Sequence, residues 1–138
     1  MELKEINVKW IDESVKKIDS LFWKLRISIE VETQKELEFE LYRFNNELAD
    51  IERIYIRNRK ALQSEKDKIF LEKRDKSNSD LSTTKKVNKD FQNYNTDLDF
   101  QEMIIERCKK KQKWFERLAN AVNSFRINDL AQAKRWVL

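Results

Sequence analysis

Apolar residues recur along this chain at alternating spacings of three and four. Ile11, Val15, Ile18, Phe22, Leu25 and Ile29 form one series; Leu37, Leu41, Phe44, Leu48, Ile51, Tyr55 and Leu62 form a second. Such a repeat gives a helix one apolar face and requires a partner helix to cover it. Asn58 interrupts the second series where an apolar residue is due. It has two readings: a buried polar residue that fixes register or oligomer state, or a stretch of seam already open to water. From Ile11 to about Leu71 the pattern fits one long helix or two. The spacing slips between Ile29 and Leu37, so a break or kink is expected at Val31-Glu32-Thr33.

The pattern stops between Lys76 and Lys86. There Ser77, Asn78, Ser79, Asp80, Ser82, Thr83 and Thr84 make a polar run typical of loops and caps. The chain is expected to reverse there through an extended or mobile connection. A third series runs Phe100, Ile104, Cys108, Phe115, Leu118, Val122 and Phe125, with Lys111 where an apolar residue is due. Asp97 or Asp99 would favour its N-terminus. Phe125, Ile127, Leu130 and Trp136 then form a short amphipathic segment that must pack on the hairpin or on another copy. The expected fold is all-α: a long, coiled-coil-like helical hairpin with a short C-terminal amphipathic helix used in oligomerisation. It is read as a single helical domain over 1–138, with one or two helices in 1–75. A polar linker over 76–90 and a second helix with the assembly segment over 91–138 complete it.

Composition sharpens this picture. The 138 residues include no glycine and no proline, where average usage gives roughly ten and seven. Charged residues make up 39% and hydrophobic ones 40%, which with strong periodicity reads as long helix rather than disorder. Without glycine there is no P-loop and no dinucleotide fingerprint. Histidine is absent, and the single Cys108 can build neither an internal disulfide nor a cysteine zinc site. A lone cysteine suits a reducing, cytoplasmic setting. Carboxylates such as Glu36, Glu38 and Glu40 have the spacing of solvated helix charge. The expectation is therefore a protein that is not an enzyme and uses no cofactor and no metal. Apolar runs such as Leu21-Phe22-Trp23 are far too short to span a bilayer, and no secretory signal is expected.

The net charge of +4 is unevenly spread. Arg26 to Glu52 carries eight acids and three bases, Arg53 to Lys76 nine bases and four acids, and Ile105 to Arg117 six bases and two acids. Such asymmetry suggests an anionic partner, or acidic and basic stretches that pair with each other. Bases surround aromatics at Arg53, Arg57, Arg59 and Lys60 around Tyr55, and at Lys66, Lys68, Lys73 and Arg74 around Phe70. Lys109, Lys110, Lys111 and Lys113 precede Trp114. Cations track a phosphate backbone, and aromatic faces stack unpaired bases. Tyr55, Trp114 and Phe115 fall on or beside the seams, so they are assigned to the core rather than to stacking. The lysines have no such structural reason to cluster.

The run Phe125-x-Ile127-x-x-Leu130-x-x-x-Lys134-x-Trp136 resembles the C-terminal pattern of the UvsY family, recombination mediators of tailed phages. Ile105-Glu106 through Trp114-Phe115-Glu116 and Leu118 is similar to the helix leading into that tail. Phe91, Tyr94, Asp97 and Asp99 resemble its "Leu-x-x-Tyr, acidic pair" segment, and Ile69-Phe70 stands where the family has paired aromatics. The family commonly carries a glycine after those aromatics, where this chain has Leu71-Glu72-Lys73; its basic motif before them is matched in part by Lys66 and Lys68. The resemblance covers roughly residues 42–138. It implies a ring-like homo-oligomer that binds single-stranded DNA, a single-strand binding protein and a RecA-like recombinase, and helps load the recombinase. It would act in the host cell cytoplasm if phage-encoded. The candidate DNA-binding residues are Arg57, Arg59, Lys60, Lys66, Lys68, Lys73 and Arg74, with Lys109, Lys110, Lys111 and Lys113 as a second set. Phe125, Ile127, Leu130 and Trp136 are the candidates for self-assembly. A coiled-coil adaptor, similar to the stalk proteins of type III export systems and without nucleic-acid binding, is the alternative.

Overall fold

A computed structural model describes the backbone of residues 1–74 and 80–136, and the side chains of residues 1–73 and 83–124. The protein is all-α. Its helices are α1 (Lys9–Ile27), α2 (Val31–Arg74), α3 (Asp80–Asp90) and α4 (Gln92–Trp136), with no strand among the described residues. Among the described residues, no helix is long and apolar enough to cross a membrane. The chain divides into two compact units. The first comprises Met1–Asn7 and Ala49–Glu106; the second comprises Val8–Leu48 and Arg107–Leu138.

In the first unit, α2 and α4 pair antiparallel. Contacts that climb α2 descend α4: Asn58 with Gln101, Lys66 with Asn95. Leu62, Val87, Phe91 and Leu98 form the core, with Leu3, Tyr55, Ile69, Phe70 and Tyr94 packed against it. Asn58 is 4% exposed, so the seam is closed to water at this position. Its Oδ1 accepts the Lys4 N–H at 2.9 Å. Its Nδ2 donates to the Lys4 carbonyl at 2.8 Å and to Gln101 Oε1 at 3.2 Å. Gln101 Nε2 also reaches the Lys4 carbonyl, at 3.3 Å. The polar interruption thus binds the segment before α1 to both long helices. Tyr94 adds a hydrogen bond from its hydroxyl to the Met1 carbonyl at 2.9 Å.

The expected polar linker over 76–90 is largely helix. Residues 80–90 form α3, and only 75–79 lie outside the described residues. Thr83 and Val87, one turn apart, are both buried. One buried position per turn, with Val87 in the core of the first unit, is enough to make a polar sequence helical. Phe91 is the single non-helical residue before α4. Its N–H bonds to the Val87 carbonyl, and its own carbonyl accepts from Asn95, so helical bonding continues across the joint. The second long helix therefore starts at Gln92, a turn or more before Asp97 and Asp99. It continues unbroken to Trp136, so the expected short C-terminal helix is the end of α4 rather than a separate element.

In the second unit, α1, the first part of α2 and the later part of α4 share an aromatic core. Phe44 meets Trp10 and Phe115 edge-on, at centroid distances of 5.4 and 5.5 Å. Phe22 stacks on Phe115 at 6.1 Å. Ile18, Leu21, Leu25, Leu37 and Leu48 of the same unit are also buried. Glu40 is buried and held by Lys17 Nζ at 2.9 Å. The break between α1 and α2 falls at residues 28–30, where Ser28 is extended, rather than at Val31-Glu32-Thr33. Those three residues form the first turn of α2. The slip in apolar spacing arises because two helices present separate faces to one core.

Candidate nucleic-acid interface

The seam decides which bases face outward. On α2 in the first unit, Ile51, Asn58 and Leu62 are buried and Tyr55 half-buried. Side chains displaced by about 100° per residue from that line leave the seam. Arg57, Arg59, Lys60 and Lys68 are exposed accordingly, while Lys66 and Lys73 are half-buried. From Arg53 to Ser64 there are four bases and no acid. Arg53 turns back to Asp50 and the Ala49 carbonyl. Lys66 donates to Asn95, and Lys73 pairs with Asp90. Among the described residues, Arg57, Lys60 and Lys68 enter no ion pair. The side chain of Arg74 lies outside the described residues.

Arg59 faces a different environment from its neighbours. It lines a groove of about 230 Å³ with Tyr55, Lys66, Asn95, Asp99 and Glu102. Burial, and then the adjacent Glu102 carboxylate, push the Tyr55 hydroxyl above its ordinary value. The two acids offset Arg59 and Lys66, so this groove is a weak site for an anion. Tyr55 stands half-buried beside these acids.

The second basic set is arranged otherwise. In the second unit, α4 turns Cys108 and Phe115 inward, with Gln112 half-buried between them. Spacings of four and three make these three the seam, so Gln112 stands at the polar interruption expected at Lys111. The first unit carries the same seam through Leu98, Gln101 and Ile105, which puts Phe100 outside the core at 56% exposure. Lys109, Lys110, Lys111 and Lys113 are all exposed. From Arg107 to Phe115 there are five bases and no acid. Among the described residues, Lys110, Lys111 and Lys113 enter no ion pair.

Trp114 corrects its assignment to the core. It is 50% exposed, whereas Phe115 is 1% exposed. Neighbours on a helix differ by about 100°, and the line through Cys108 and Phe115 leaves Trp114 to one side of the seam. Lys110 lies one turn before Trp114 and Arg117 one turn after it, with Lys111 three residues before. An exposed indole set among cations, with Glu116 as the one acid between Trp114 and Arg117, can stack a base while the cations hold phosphates. The seven-residue interval between Cys108 and Phe115 was the sequence signal that Trp114 points outward.

The remaining concavities carry little specific chemistry. An open groove of about 800 Å³ in the second unit is mostly apolar, with Phe22, Trp23, Ile27, Leu118 and Val122 among its walls. Arg26 lies over the Trp23 ring at 5.6 Å. No described group of carboxylates or cysteine could hold a metal ion. The Cys108 thiol is buried and its pKa raised by desolvation, away from a nucleophile's requirements. The side chains of Phe125, Ile127, Leu130 and Trp136, the self-assembly candidates, lie outside the described residues. Comparison with protein-family models, with curated proteins and with solved structures finds no match.

Proposed function

We propose that this protein binds single-stranded DNA without catalysis and serves as a recombination mediator. In this role it would hold a strand, engage the single-strand binding protein that coats it, and help a RecA-like recombinase to load. The observation that carries the reading is Trp114, half-exposed beside Lys110, Lys111 and Lys113 on α4, where residues 107–115 include no acid. Phosphates would lie along the lysines and an unpaired base on the indole, a combination that tolerates any sequence. Arg57, Lys60 and Lys68 on α2 form the second contact line. The resemblance to UvsY-type mediators supports the same function, with a homo-oligomer multiplying modest sites into useful avidity.

Fluorescence anisotropy with a labelled oligo-dT strand tests this reading at two salt concentrations. Binding is expected at low micromolar protein, weakening steeply as salt rises and with little sequence preference. No binding at either salt would exclude the mediator reading and leave the coiled-coil adaptor.

A further inference from the structure

Within the second unit, α2 carries two stripes. Leu37, Phe44 and Leu48 are buried and Leu41 half-buried. Lys35, Phe39, Tyr42 and Asn46 repeat at spacings of four, three and four on the other side, and all are exposed. Phe39 is 63% exposed and Tyr42 67%. Single exposed apolar residues are ordinary. Two aromatic residues three apart, in a stripe spaced four, three and four on a helix whose other face is already engaged, have the pattern of a second coiled-coil seam.

The charges beside this stripe select the occupant. Glu36 and Arg43 are both exposed and stand one heptad apart on the same flank. If a second copy of α2 lies antiparallel, with the two-fold axis between residues 40 and 41, Phe39 meets Tyr42 of the second copy. Equivalent flanks then face each other, and Arg43 lies within about 3 Å along the axis of Glu36 of the second copy, at 1.5 Å per residue. Both contacts occur twice, as a two-fold interface requires. The same register sets Lys35 opposite Asn46. A parallel pair would instead set Lys35 against Lys35 on the seam, where like charges repel. We propose that the exposed Lys35–Asn46 face of α2 is a self-association surface, on which two copies of this chain pair antiparallel through Phe39–Tyr42 and Glu36–Arg43 contacts.

The test is the mass of the full-length protein in solution, followed against concentration by light scattering or sedimentation, without nucleic acid. The double variant Phe39→Glu, Tyr42→Glu is expected to halve the mass reached at high concentration while keeping wild-type helicity, because both residues lie outside the core. Glu36→Arg is expected to raise the concentration for association about tenfold. Adding Arg43→Glu to it should restore the wild-type midpoint, and Glu38→Arg should leave that midpoint in place. The proposal is overturned by a wild-type chain that does not associate, or by an unchanged mass in the double variant. It is equally overturned if the charge swap fails to restore association, or if Glu38→Arg weakens it in place of Glu36→Arg.

Discussion

Asn58 holds three segments of the first unit through one side chain. Its amide supplies an acceptor and a donor to the Lys4 backbone, as a neighbouring strand would, and a second donor hydrogen to Gln101. A buried amide in this position is favourable only while every partner is present. Asn58→Ala leaves the Lys4 N–H without its acceptor beside a core, so it is expected to cost about 2–3 kcal/mol, measured by urea denaturation. Cys108 makes a different prediction. Its thiol is raised above the ordinary 9.0 by burial, so the native state keeps its proton longer than the unfolded chain. This contribution to stability is intact below about pH 9.0 and is lost as pH climbs through the raised native value. Denaturation midpoints should therefore fall above that pH in the wild type and fall less in Cys108→Ala. Tyr55, raised from 10.0, acts in the same direction.

Helix positions differ sharply between neighbours. Phe115 touches Phe22 and Phe44 and is buried, while Trp114 lies in solvent. Phe115→Ala is expected to cost about 3–5 kcal/mol, and Trp114→Ala less than about 0.5 kcal/mol, both read from denaturant midpoints at constant slope. The pair also shows what was legible beforehand. Periodicity identified the seam of α2 and the apolar face of α1, because there the apolar residues occur at nearly every heptad position. On α4 the seam passes through Gln101 and Gln112, so composition pointed to the wrong residues and Phe100 and Trp114 were assigned inward. Helix α3 was read as linker because Val87 and Thr83 gain their helical state from a core built by residues far away in the chain. In each unit a third piece packs against the two long helices. In the first unit this is the segment before α1 together with α3; in the second it is α1.

At the scale of the whole molecule, charge and aromatic exposure lead to separable predictions for strand binding. The bases at Lys66 and Lys73 are already occupied by Asn95 and Asp90, so they have little to offer a phosphate. Lys110, Lys111 and Lys113 have no such engagement among the described residues. Each phosphate neutralised on a single strand contributes about 0.7 to the log-log salt slope. Replacing these three lysines with glutamine should therefore lower the slope by about 2 if each holds one phosphate. Lys73→Gln should leave the slope in place, since its charge is turned to Asp90. Trp114→Ala should act in a third way. Loss of stacking removes about 1–3 kcal/mol at every salt concentration, a parallel shift of the line rather than a change in its gradient. Anisotropy titrations over a salt series separate the three outcomes. A slope that responds to Lys73 and not to the α4 lysines would move the strand from α4 to α2.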